Sequence, residues 1–167
     1  MTILLRPATV HDAASICAIY NPYVLNTAIT FETIAVTPSD MAQRITDIKA
    51  QFPWLVCVEK TAEGEQILGY AYATKWRTRA AYAHSVESSV YLSDAAAGRG
   101  LGTLLYRALL AELSKLSVHA VIGGIALPNP GSIALHEKMG FEKVGVFREV
   151  GRKTDTWLDV GYWQLLL

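Results

Sequence analysis

The chain has 167 residues, 51% of them hydrophobic, and its 15 basic and 15 acidic side chains cancel to zero formal charge. A chain of this length is expected to form one domain, spanning 1–167, and to bury roughly 70% of its unfolded surface without a metal or disulfide. A neutral surface lacks the Lys and Arg excess that displaces phosphate counterions, so nucleic acid is excluded as an expected partner.

Thr2 to Pro7 reads as a first strand. Its apolar run, Ile3 to Leu5, is far too short for a signal-peptide core. Thr9 and Asp12 have the spacing of a capping box, opening a helix with Ala13, Ile16, Cys17 and Ile19 on one face and an end near Pro22. Thr37-Pro38-Ser39-Asp40 opens a second helix, running to about Ala50, because Pro at the first helical position and an early acid suit the unpaired amides there. Trp54 to Lys60 and Gln66 to Lys75 are rich in strand formers around a turn at 62–65, and Ser85 to Leu92 is a third such segment.

Gly98-Arg99-Gly100-Leu101-Gly102-Thr103 runs into a helix in which Leu101, Leu104, Leu105, Ala108, Leu109 and Leu116 recur at helical spacing, with Arg107, Glu112 and Lys115 outside. Ala120 to Ala126 has the near-continuous apolar character of a strand buried on both faces. The uncharged stretch 116–136 resembles a membrane span in composition only, since Gly123, Gly124, Pro128, Asn129, Pro130 and Gly131 break it. Ser132 to Met139 is a short helix stopped by Gly140, and Phe141 to Glu149 and Asp159 to Leu166 are closing strands. The sum is a mixed α/β fold, without repeats or linkers. Cys17 and Cys57 have no C-x-x-C spacing, and His11, His84 and His119 have no ligand spacing, so no metal or redox site is expected; a cytoplasmic, membrane-free setting fits.

The glycine-rich turn reads either as a tight connection or as an anion site, since glycines ahead of a helix leave amide N–H groups free at the positive end of its dipole. It is neither a P-loop, which needs Lys-Ser/Thr after its last Gly, nor a dinucleotide fingerprint, whose third Gly follows the second by three residues. Glu87, by strand alternation, shares a face with Ser89 and Tyr91 and reads either as a solvated acid or as a general base. Arg77 and Arg79, in Trp76-Arg77-Thr78-Arg79, read either as solvated turn residues or as a clamp for an anionic head group.

The turn 98–103, together with Leu127-Pro128-Asn129-Pro130-Gly131-Ser132 and Leu135-His136-Glu137-Lys138-Met139-Gly140-Phe141, resembles the GCN5-related N-acetyltransferases (GNAT). Trp54-Leu55-Val56, Val86-Glu87-Ser88-Ser89-Val90-Tyr91, Gly151-Arg152-Lys153 and Trp157-Leu158-Asp159-Val160 make it most similar to the group acting on phosphinothricin and methionine sulfone or sulfoximine. The resemblance covers the chain from Arg6 to Gln164. It implies a central, mostly antiparallel sheet flanked by about four helices, with strands splayed at an acetyl-CoA site. It also implies a small-molecule amine acceptor, a detoxifying role, and a homodimer, to which the aromatic tail at Trp157, Tyr162 and Trp163 contributes unless these residues pack in the core.

Residue by residue, the resemblance implies that Gly98, Arg99, Gly100, Leu101, Gly102 and Thr103 hold the pyrophosphate of acetyl-CoA. Ala97 departs from the usual Gln or Arg, and Arg99 is placed to substitute. Val90, Tyr91 and Leu92 pair with the pantetheine arm, and Asn129 and Ser132 contact it. Glu87 is the implied base for direct attack on the thioester. His136 stands where many relatives have a tyrosine and is either the acid for the departing thiolate or a cofactor contact. Phe31, Lys75, Arg77, Thr78, Arg79, Glu87, Ser88 and Ser89 are the expected acceptor-site residues. A polyamine, aminoglycoside or protein N-terminus as acceptor, and a non-catalytic acyl-CoA-binding module, are the competing readings.

Overall fold

The computed structural model describes residues 2–167. Strands β1 (Thr2–Pro7), β2 (Trp54–Thr61), β3 (Gly64–Lys75), β4 (Ser85–Leu92), β5 (Ala120–Ala126), β6 (Glu142–Lys153) and β7 (Thr156–Leu166) form one sheet in the order β1-β2-β3-β4-β5-β7-β6. Helices α1 (Ala13–Asn26) and α2 (Pro38–Lys49) cover one face of it; α3 (Leu101–Leu113) and α4 (Pro130–Lys138) cover the other. Every neighbouring pair is antiparallel except β4 and β5. This is the mixed, mostly antiparallel architecture expected from the sequence.

Strand β2 shows how one segment serves two cores. Side chains alternate across a strand, so Trp54, Val56 and Val58 join the α1–α2 cluster while Leu55 and Cys57 join the α3 cluster. Helix α3 buries Leu101, Leu105, Tyr106, Leu109 and Leu113 along one stripe; Leu104 and Leu116, expected inside, are exposed. The ends of α2 follow their sequence signals, with the Thr37 hydroxyl accepting the Asp40 N–H at 3.1 Å. At the start of α1, Asp12 accepts the Thr9 N–H at 2.7 Å, although a 3-10 turn at Val10–Asp12 precedes the helix proper.

Two boundaries differ from expectation. Helix α1 runs through Pro22 to Asn26, so the missing proline N–H does not end it. Tertiary contacts hold the last turn: Val24 is fully buried and the Tyr23 hydroxyl donates to the Leu92 carbonyl at 2.6 Å. The closing strands extend further, forming a long β6–β7 hairpin through Thr154 and Asp155, both at positive φ. Both cysteines are buried and free, and no helix is long and apolar enough to cross a membrane.

Candidate active site

Strands β4 and β5 pair over only three positions, Ser85 with Ala120, Val86 with Val121 and Glu87 with Ile122. Beyond Glu87 they diverge, so the β4 edge from Ser88 to Leu92 has no strand partner on the β5 side. A small cavity of about 70 Å³ lies in the gap, lined by Ser89 to Tyr91 and by Asn129, Ser132 and His136 among others. It adjoins a larger cavity of about 350 Å³, because Ile29, Ser88, Ser89, Tyr91, Gly124 and Ala126 line both.

Glu87 faces the larger cavity and makes no hydrogen bond or ion pair with the described residues. Burial raises its pKa above the ordinary carboxylate value, and the charge of Arg77 opposes that rise. Gly124 makes the approach possible: a Cβ there would lie 3.1 Å from Glu87 Oε1 and 3.2 Å from the Tyr162 ring. Next to it, a Cβ on Gly123 would lie 2.5 Å from His136 Nε2. The two glycines thus let β5 receive the carboxylate and the imidazole as close neighbours of its backbone.

His136 is buried between the Tyr106 and Phe141 rings. Its Nδ1 lies 2.7 Å from the Ser132 carbonyl, which can only accept, so the proton sits on Nδ1 and Nε2 is left as an acceptor. Burial lowers its pKa, with the Ser132 bond opposing. The one N–H of the neutral ring is thereby held by the Ser132 carbonyl. Asn129 caps α4, its Oδ1 accepting the Ser132 N–H at 3.1 Å, and still lines the small cavity.

At the head of α3, Gly98 and Gly100 take φ of 71° and 73°, a left-handed conformation that side chains with a Cβ rarely adopt. The N–H groups of Gly98, Gly100, Leu101, Gly102 and Thr103 have no acceptor among the described residues, and the first bond of the helix is Leu104 N–H to Gly100 O. This fits a diphosphate. Arg99, placed by the sequence to substitute for the residue lost at Ala97, has its guanidinium 2.7 Å from Glu59 on β2. Leu101 is buried in the core, so it offers only its amide.

Of the expected acceptor-site residues, Phe31, Glu87, Ser88 and Ser89 line the larger cavity. The Ser88 hydroxyl, however, is turned to the α3 side, 2.5 Å from the Tyr106 hydroxyl. Lys75, Arg77, Thr78 and Arg79 are exposed and are not among the residues lining the cavity, although the charge of Arg77 acts on Glu87. Arg77 stacks 3.8 Å over its neighbour Trp76. Sequence reasoning missed Ile29, Thr30, Val150, Val160 and Tyr162, which complete the walls. The Gly123-Gly124 pair inside an apolar strand was the available signal of close packing there. Trp163 is a core residue and Tyr162 a cavity wall, leaving Trp157 as the exposed member of the aromatic tail. A larger cavity, about 500 Å³, lies between β1, β2 and the end of α3, but its one carboxylate, Glu112, is paired with Lys115.

The acetyltransferase (GNAT) domain family matches residues 5–161. Phosphinothricin N-acetyltransferase of Streptomyces coelicolor is 39% identical over 162 residues, 97% of this chain and 95% of that one. The L-methionine sulfoximine/L-methionine sulfone acetyltransferase of Pseudomonas aeruginosa is 37% identical over 169 residues, 100% of this chain and 96% of its own length. The phosphinothricin acetyltransferase of Sinorhizobium meliloti, solved in complex with acetyl-CoA, superposes with a TM-score of 0.93 at 38% identity, covering 100% of this chain and 89% of that one.

Proposed function

The chain belongs to the GNAT family as an N-acetyltransferase that uses acetyl-CoA, and from that premise we propose that it acetylates the α-amine of a small amino acid or analogue, with Glu87 as general base. The single observation that carries this reading is the unpaired Glu87 carboxylate, half-buried where the 350 Å³ cavity meets the β4–β5 gap. An ammonium must lose a proton before it can attack, and a carboxylate with a raised pKa accepts that proton directly or through one water.

Acetyl-CoA supplies the activated thioester. The free amides at 98 and 100–103 hold its diphosphate at the positive end of α3. Unpaired main-chain groups of β4 take the pantetheine arm, and their N–H donors polarise the acetyl carbonyl, a contribution of about 3 kcal/mol per donor in comparable sites. Asn129, Ser132 and neutral His136 line the same channel. Nothing in this scheme requires an acyl-enzyme, and both cysteines lie in the buried cores rather than along either cavity.

The acceptor cavity combines Glu87 and Ser89 with apolar walls from Ile29, Phe31, Val150 and Val160. That mixture offers a carboxylate to the acceptor's amine and apolar walls to a small, uncharged side chain. Phosphinothricin, methionine sulfone and methionine sulfoximine are the acceptors that the relatives' activities suggest, with detoxification as the outcome. A homodimer would use the exposed Val144, Phe147, Val150 and Trp157 of the β6–β7 hairpin, a contact that sedimentation equilibrium measures.

The deciding experiment is an acceptor screen by CoA release with these three compounds, ordinary amino acids and spermidine. The highest kcat/KM is expected for one of the three analogues. Preference for spermidine, or no release with any amine, would overturn the assignment.

A further inference from the structure

The segment joining α1 to α2, residues 27–37, crosses the mouth of the acceptor cavity, and its centre is pinned from the far end of the chain. Thr30 is buried between Ile29 and Phe31, both more than 40% exposed and both lining the cavity. Lys153, only 6% exposed, donates from Nζ to the Thr30 carbonyl at 2.7 Å, 123 residues away in sequence. The Thr30 hydroxyl meets the Tyr20 hydroxyl at 2.7 Å. On the same strand as Lys153, the bare backbone of Gly151 receives the Phe31 ring, where any Cβ would collide.

We propose that Lys153 is a positioning residue for the acceptor site: its ammonium fixes the Thr30 carbonyl, and so sets where Ile29 and Phe31 stand against the amine substrate. Resting on the reading of the 350 Å³ cavity as the acceptor site, this gives a role to the Gly151-Arg152-Lys153 stretch that the chemistry at Glu87 leaves unexplained. Burying a lysine without a partner is costly; here the partner is a strap rather than an acid, since no carboxylate lies within ion-pair distance of Lys153 among the described residues. Glu32, the nearest acid to act on its charge, is itself held by Arg44 at 2.7 Å. The strap is clasped at its other end by Asn21, whose amide both donates to the Val36 carbonyl and accepts its N–H. Lys153 therefore controls the middle of the strap, where the cavity is.

Lys153→Met keeps the aliphatic stem and removes the donor. The expected result is an acceptor KM raised at least about tenfold, the loss expected for a charge-assisted hydrogen bond. The acetyl-CoA KM should stay within about twofold, and amide hydrogen exchange across 27–36 should become faster. Lys153→Arg, which retains a donor, should recover part of the acceptor KM. Ala126→Phe, which fills the cavity directly but also narrows the small one, tests the underlying reading when acceptor KM and acetyl-CoA KM are read together. Unchanged exchange in the strap overturns the proposal, as does an unchanged acceptor KM in Lys153→Met where Ala126→Phe raises it. If Ala126→Phe also leaves the acceptor KM unaltered, the cavity is not the acceptor site and both ideas fall. Should Lys153→Met not fold, Tyr20→Phe releases Thr30 from its other bond and is read by the same measurements.

Discussion

Two carboxylates, Asp12 beside the edge strand β1 and Glu87 on the central strand β4, are both withdrawn from solvent but keep opposite company. Asp12 meets Arg6 at 2.8 and 2.9 Å and accepts the Thr9 N–H and hydroxyl at 2.7 and 3.1 Å. Burial alone would raise its pKa, but these partners together hold it below the ordinary value. Glu87 has no such partner, and burial raises its pKa. The contrast separates a carboxylate kept ionised to join β1 to α1 from one kept able to take up a proton. Burial is common to both; satisfaction of the charge decides the role.

The largest effect expected from breaking this contrast is on Glu87. Glu87→Gln should lower kcat/KM by about 100-fold or more, within the usual range for a general base, without lowering the melting temperature, because no partner is stranded. Steady-state CoA release and thermal denaturation measure the two halves; full kcat/KM at neutral pH would remove Glu87 from the mechanism. Asp12→Ala should do the reverse, losing about 2 kcal/mol in denaturant titrations while the folded enzyme keeps its kcat/KM. The sign of the pH dependence follows from the lowered pKa of Asp12 in the folded state. Its stabilisation is complete above the unfolded carboxylate value of about 3.9 and is lost as pH falls through the folded value. Asp12→Ala should accordingly flatten the acid side of the stability profile.

The smallest effect sharpens the comparison. Arg77 is the cation that lowers the Glu87 pKa, and Arg77→Ala removes that opposition. The acid limb of the kcat/KM profile should move to higher pH. Movement to lower pH, or none, would mean that the guanidinium stacked on Trp76 does not reach Glu87 through solvent.

Local signals made most of the fold legible. Thr37-Pro38 starts α2, the strand formers of Trp54 to Lys60 mark β2, and the glycines before Leu101 mark the head of α3. Pro22 misled because packing of Val24 and the Tyr23 hydroxyl outweighed a local preference. The tip of the β6–β7 hairpin escaped notice because Thr154 and Asp155 turn at positive φ without a glycine. Glu87 could be found from strand alternation and family resemblance. Its surroundings could not, since Ile29, Val150 and Tyr162 come together only when the strap and the last hairpin close over β4 and β5. The arginines at 77 and 79 have the chemistry for a clamp; that they stand exposed beside the cavity rather than in its wall depends on a turn's direction in space, which is not written in its composition.

Strand β6 lies at the margin of the sheet and carries Val144, Val146, Phe147 and Val150 in the open. Its ladder with β7 is regular only in stretches, slipping between Lys143 and Gly145 and again between Phe147 and Gly151, where Glu149 turns to φ 50° and gives its N–H to Asp159. A straight, greasy border of that length would be a template onto which further chains could add without limit. The kinks leave no long run of evenly spaced donors and acceptors, so this border resists fibril growth while keeping its apolar side chains on display.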